Sequence, residues 1–224
     1  MIYAVTLLAS IALGLAAAAL YRVLPPARSP VARYGLAGIA IAVAIGHHAY
    51  WLRRANFDWA QSLPLHFCDL ATLLAPASLL WPRLRTLRAV AIGWGLALTP
   101  LAFVAPVVDP DAGPWRVFFY LASHGVVVSA AVFHVATDRG RFPPADLLRA
   151  IAFTWLYGLA TAGFNAATGF SYGYTGRAAD PAWLDRLGPW PWRLGAMALL
   201  SGLLLAAAAA GLAGLRRLRP ARRA

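Results

Sequence analysis

Residues 194–215 read LGAMALLSGLLLAAAAAGLAGL, an uncharged run that ends against Arg216 and Arg217. About twenty apolar residues in a helix suffice to cross roughly 30 Å of hydrocarbon. Blocks of the same kind lie upstream at about 2–21, 34–52, 65–81, 87–105, 115–136 and 147–168, and the last block begins near 191. Punctuation separates them at Leu24-Pro25-Pro26, Arg53-Arg54, Pro82-Arg83, Asp109-Pro110-Asp111, Phe142-Pro143-Pro144 and Gly188-Pro189. No linker is long enough to separate domains. The expectation is an all-α polytopic membrane protein, a single bundle of seven transmembrane helices over residues 1–224.

Composition leads to the same solvent. Hydrophobic residues make up 61% of the chain and charged ones 12%, where a soluble domain carries roughly 25% charged. A water-soluble fold of this size cannot hide so much apolar surface. The chain opens Met1-Ile2-Tyr3 with no basic stretch, so a cleaved signal peptide is not expected and the first block is read as a span. A single cysteine, Cys68, excludes an intrachain disulfide and any cysteine-rich metal centre.

Every cation is an arginine, and the net charge is +12. In a soluble protein that balance would suggest nucleic acid. Here the arginines collect at the ends of apolar blocks, which marks topology and contact with anionic headgroups instead. With seven spans, fourteen arginines fall on one side, within 22–33, 83–88, 139–149 and 216–223. Six fall on the other: Arg53, Arg54, Arg116, Arg177, Arg186 and Arg193. The positive-inside rule then puts the N-terminus outside and the C-terminus in the cytoplasm, in the cell inner (plasma) membrane.

The longest loop, 169–190, is therefore expected outside. Within it Asp180-Pro181-Ala182-Trp183-Leu184-Asp185-Arg186-Leu187-Gly188 carries an N-cap, a first-turn proline and a glycine stop. Trp183, Leu184 and Leu187 share one face, and Trp190 and Trp192 follow, as in a short helix lying in the headgroup layer. The small-residue run Ala206–Gly214 is read as a place for close helix packing.

Polar side chains inside spans are costly, so each is a candidate for function. They are His47, His48, His66, Cys68, Asp69, His124, His134 and Asn165. Counted from the cytoplasmic end of its own span, Cys68 lies fourteen residues from Pro82, His124 fourteen from Asp138 and His47 fourteen from Arg33. At 1.5 Å per residue all three reach the same level, about 21 Å above the inner boundary. His134 stays near that boundary, and Asn165 lies closer to the outer surface. A thiol needs an adjacent base to act as a nucleophile, so a Cys–His pair is one reading and buried packing residues are the other.

A metal site built from His47, His66, His124 and Asp69 is the competing chemistry. No His-x-x-x-His or Glu-x-x-His pair places two ligands on one helical face, and His47 and His48 point roughly 100° apart, so neither metal nor cofactor is expected. A transporter is the third possibility, but no span is broken by internal Gly-Pro pairs and no inverted repeat is visible. Pro76 and Pro100 can kink spans three and four.

The stretch Leu63-Pro64-Leu65-His66-Phe67-Cys68-Asp69-Leu70 resembles the signature of the YwaF-like integral membrane proteins, which include the transmembrane protein 164 acyltransferases. The likeness continues at Ser123-His124-Gly125, at Phe164-Asn165 with Tyr172-Gly173-Tyr174, and at Leu187-Gly188-Pro189-Trp190-Pro191-Trp192. One departure is Thr175-Gly176-Arg177, where relatives tend to carry Lys-Pro. The resemblance implies a seven-helix lipid enzyme that moves acyl chains between phospholipids. Cys68 would then be the nucleophile and His124 its base. Asp69 or Asn165 would orient the imidazole, and His66 or the first-turn amides of span three, begun at Pro64, would hold the oxyanion. Such a mechanism needs a cavity opening outward between spans two, three, five and six, in which His47, His48, Asn165, Tyr172 and Tyr174 would meet the phospholipid. The alternative is a lipid- or ligand-binding membrane protein whose polar cluster stabilises the bundle.

Overall fold

A computed structural model describes residues 1–108, 113–178 and 182–218, which form seven helices that we number α1 to α7. They are α1 Ile2–Val23, α2 Pro30–Leu52, α3 Phe67–Leu80, α4 Arg85–Val104, α5 Pro114–Thr137, α6 Pro144–Thr168 and α7 Trp192–Arg217. Six are long and apolar enough to cross a membrane, and α3 is the exception. The Asp109-Pro110-Asp111 turn, Asp180-Pro181, Arg219, Arg222, Arg223 and the side chain of Trp183 lie outside the described residues.

The helix boundaries follow local chemistry. Pro30, Pro114 and Pro144 each sit in the first turn of their helices, where a missing N–H removes nothing and the fixed φ suits the helix. Helix α6 ends at Gly169, whose φ of 80° is the left-handed stop that glycine adopts without strain. Inside α4 the backbone widens to a π-turn over Trp94–Leu98, with the Thr99 N–H reaching back to the Trp94 carbonyl at 2.8 Å. Pro100 explains the location. It donates no hydrogen bond and crowds the carbonyl four residues before it, so the ladder must change step just ahead of it.

The first structural correction concerns span three. Its helix begins at Phe67, not at Pro64, and its 14 residues rise only about 21 Å. Residues 53–66 instead form a folded connection over its N-terminal end. Two tyrosines from distant points of the chain hold that connection. The Tyr172 hydroxyl accepts the Leu63 N–H at 3.1 Å and donates to the Trp59 carbonyl. The Tyr157 hydroxyl donates to the Leu65 carbonyl at 2.8 Å. Asp58 makes a local turn with Ser62 and Ala60, and Asn56 bonds back to the Tyr50 carbonyl.

Helix α5 is the centre of the bundle, with every residue from Ser123 to Ala131 buried. Small residues let its neighbours approach it, since in lipid helices associate through close packing and hydrogen bonds. Ser129 donates to the Ser10 carbonyl of α1 at 2.8 Å, and a Cβ added at Gly14 would stand 2.6 Å from the Ser129 carbonyl oxygen. On α4, a Cβ at Gly95 would meet the Ala131 Cβ at 2.5 Å. In the run Ala206–Gly214 of α7, Gly211 and Gly214 face open space, while Leu212 and Ala209 pack against the core.

The two ends of the bundle differ in charge. At one end Arg22 bonds the Ala136 carbonyl, Arg88 bridges Asp138 at 3.1 Å and Asp146 at 3.5 Å, and Arg149 pairs with Asp146 at 2.6 Å. At the other end, buried Arg193 donates to the carbonyls of Gly176, Arg177 and Ala178. The short 3₁₀ helix Ala182–Leu187 lies near it, with Leu184 buried.

Packing at α4–α5 makes a direct prediction. Gly95→Leu overpacks a contact with no space for a Cβ and should lower stability by about 3 kcal/mol or more, whereas Gly211→Leu should change little. Thermal unfolding of the detergent-solubilised variants, followed by size exclusion, separates the two.

Candidate functional site

Asp69 is the residue around which the site is built. It occupies the first turn of α3, is 7% exposed, and has both carboxylate oxygens engaged. Oδ2 accepts the His66 N–H at 3.2 Å, which caps the start of the helix. Oδ1 pairs with His47 Nε2 of α2 at 2.9 Å. His47 is itself only 5% exposed. A carboxylate removed from water must be met by donors or it destabilises the fold, and here the backbone of one segment and the imidazole of another meet it. The same Oδ1 is the acceptor for the Cys68 thiol, at 3.9 Å.

Cys68 therefore stands in the first turn of a helix, half-buried, beside a carboxylate–imidazole pair. First-turn amides lack intrahelical acceptors and carry the positive end of the helix dipole. An aromatic wall backs this turn: Phe67 lies 4.1 Å from Trp94 between ring centroids, and Trp94 is 5.9 Å from Tyr157. Trp94 is fixed in turn by donating its indole N–H to Thr154 Oγ1 at 2.7 Å.

His124 shares the depth of Cys68 along its own helix, but it faces elsewhere. Its Nδ1 donates to the Tyr120 carbonyl one turn earlier at 2.6 Å, and its ring lies 4.4 Å from Tyr120 and 6.2 Å from Phe103. Among the described residues Cys68 and His124 share no hydrogen bond. His124 remains within electrostatic reach of both Asp69 and His47. The bond to Tyr120 fixes the tautomer with the proton on Nδ1, which leaves the Nε2 lone pair available.

Asn165 does not orient His124. Its amide donates to the Tyr172 carbonyl at 2.7 Å and to Thr175 Oγ1 at 2.9 Å, and its oxygen accepts the Tyr172 N–H at 3.0 Å. It pins the loop after α6. Tyr172 is fully buried and clamps residues 59–63, with its ring 4.8 Å from His66; the Tyr174 ring is 6.1 Å from His66. So Asn165 and Tyr172 hold the segment that carries His66, rather than facing an open mouth. His134, near the C-terminal end of α5, pairs with Ser78 at 2.9 Å and ties α5 to α3.

Sequence reasoning does not find Tyr157 and Trp94, which support the turn around Cys68. Both are ordinary aromatic residues of apolar spans, and only the tertiary contacts mark them. The two cavities at the arginine-rich end, about 180 and 600 Å³ and lined around Arg88 and Asp138, touch none of Cys68, Asp69, His47 or His124. The outward-opening cavity expected beside Cys68 is not one of them.

Asn165 generates a stability prediction. Asn165→Ala removes three hydrogen bonds in a buried setting, at roughly 1 kcal/mol each. It should lower stability by about 2–4 kcal/mol and expose 171–178 to limited proteolysis, while Asn56→Ala, which loses a single part-buried hydrogen bond, should cost no more than about 1 kcal/mol and leave 171–178 protected.

The chain matches no curated protein and no solved structure. A family model does match it, over residues 1–209, a span that holds all seven helices but the last turns of α7. On that match this multi-pass membrane protein belongs to the TMEM164 family.

Proposed function

We propose that this protein is a cysteine-dependent lipid acyltransferase of the YwaF-like kind, acting on phospholipid acyl chains from within the membrane. The observation that carries the reading is the placement of Cys68. The chain's single thiol lies at the head of a helix, beside the buried Asp69–His47 pair, in a bundle whose outer surface is apolar. A nucleophile, imidazole groups near it to serve as base, and apolar access are the components that acyl transfer from a lipid requires.

In this mechanism the Cys68 proton passes to His124 Nε2 once the substrate closes the distance between them. The thiolate attacks the ester carbonyl carbon, a C–S bond forms and the ester C–O bond breaks. The imidazolium returns its proton to the departing lysophospholipid oxygen. In the second half an incoming lysophospholipid hydroxyl loses its proton to His124 and attacks the thioester, and the C–S bond breaks to regenerate Cys68. Water in place of that hydroxyl gives hydrolysis. The first-turn amides of α3 and the His66 ring supply donors for the oxyanion, and the Asp69–His47 pair holds the helix end that presents the thiol. His48 and Tyr174 line the approach to this end, while buried Tyr172 holds residues 59–63 behind it. The acyl chain enters from lipid, across the apolar outer surface of the bundle.

We also infer that the arginine-rich end faces the cytoplasm of the plasma membrane, where Arg88, Arg149 and their neighbours meet anionic headgroups.

Two experiments test these readings. Reconstituted in vesicles with a labelled phospholipid donor and a lysophospholipid acceptor, the protein should transfer the acyl chain and show a hydroxylamine-labile acyl adduct by intact mass. Cys68→Ser should abolish both, and His124→Gln should slow transfer by about 10²–10⁴-fold. Folded protein with no transfer and no adduct would leave only a lipid-binding role. For orientation, in a Cys68→Ala background Trp59→Cys should react with an impermeant maleimide in intact cells, and Leu218→Cys only after lysis; the reverse pattern would invert the topology.

A further inference from the structure

His47 and His48 leave a chemical demand that the acyl-transfer mechanism does not meet. His47 gives one ring nitrogen to Asp69, and among the described residues its Nδ1 is buried without a hydrogen-bond partner. His48 Nε2 is likewise buried and unpartnered. Two orphaned imidazole nitrogens within one cluster are uncommon in a folded protein, because each loses its water and gains nothing in exchange. Their nearest aromatic neighbours offer no spare donor: Phe119 lies edge-on to His47 at 6.5 Å, and the His47 and His48 rings meet at 5.1 Å.

One nitrogen from each histidine and a carboxylate oxygen of Asp69 lie within 4.8 Å of one another. Adjacent helix positions diverge by about 100° at the backbone, yet the long imidazole arms bring both rings to the same carboxylate. The set that gathers therefore differs from the one read off the sequence: His48 joins it, while His66 and His124 do not.

We propose that His47, His48 and Asp69 bind one divalent transition-metal ion of the zinc type. Two imidazoles and one carboxylate are a donor set for borderline-soft ions rather than for calcium or magnesium, which take oxygen ligands. Ligands around zinc stand about 2.0–2.2 Å from the ion, so the three groups must draw in around it, and the His47–Asp69 contact of 2.9 Å rearranges when the ion binds. The outer sphere is also in place, since Asp69 is held by the His66 N–H. Three protein ligands leave a coordination position open, which is the pattern of catalytic rather than structural zinc sites. The site shares His47, His48 and Asp69 with the acyl-transfer reading but stands on its own observations, and it adjoins Cys68 without requiring the thiol as a ligand.

The test uses full-length protein in detergent, stripped with a chelator, dialysed against Zn²⁺ alone and measured by elemental mass spectrometry. About one zinc per chain is expected, together with a zinc-dependent rise in Tm. His48→Gln keeps a polar side chain of similar reach and should weaken binding at least tenfold while the protein stays monodisperse. Cys68→Ser should retain the full stoichiometry, so loss of acyl transfer and loss of metal are separable outcomes. The proposal is overturned if wild-type protein binds no more zinc than buffer controls, which is the result expected if water fills the cluster. It is equally overturned if His48→Gln, folded by size exclusion, binds zinc as tightly as wild type. Should His48→Gln fail to fold, the same comparison is made with His48→Asn.

Discussion

The carboxylate of Asp69 cannot stand alone inside this bundle. A charged or unpaired polar group in a membrane interior costs several kcal/mol unless donors meet it. His47 from α2 and the backbone of His66 are the donors, and this need fixes how the two helices pair. Because Asp69 sits in the first turn of α3, satisfying it also determines where that helix starts. Cys68 is its chain neighbour, so the thiol is delivered to the same spot. The folded segment 53–66 goes with it: the 14-residue helix rises only about 21 Å, and its N-terminal end is covered by a connection whose backbone is bonded to Tyr172 and Tyr157.

Around this fixed point the bundle is held by close approach. Helix α5 contributes carbonyls and small side chains, and α1 and α4 answer with Gly14 and Gly95. Polar anchoring is concentrated at the ends. Arg88 and Arg149 share Asp146 at one, and Arg193 gathers three carbonyls at the other. The apolar exterior then needs no internal partner, because lipid is its solvent.

Much of this is legible from residues alone. Long apolar runs between prolines and arginines mark six spans to within a few residues, since one helix in lipid needs only length and hydropathy. The start of span three is not legible in this way, because Leu63, Leu65 and Phe67 are apolar in a loop as they would be in a helix. Depth along the helix places His47 level with the start of α3. It carries no azimuth, and His124, at the same height, turns to Tyr120 and Phe103. Asn165 reads as a lining residue because a polar side chain in a span has no other signature; its partners lie in a loop whose path the sequence does not reveal. The alanine run of α7 has the composition of an interface, yet its glycines face open space while Gly14 and Gly95 face α5, and only the partner helix distinguishes them.

The relation between structure and chemistry rests on one pair. If Asp69 and His47 hold each other, they position Cys68 and anchor the helix end that presents it; if they are merely adjacent, neither follows. A double-mutant cycle on thermal or denaturant unfolding in metal-free detergent buffer measures this, with His47→Ala, Asp69→Asn and the combined variant. Coupling of about 1.5 kcal/mol or more is expected for a buried, hydrogen-bonded pair. Effects that add to within roughly 0.5 kcal/mol would contradict the account.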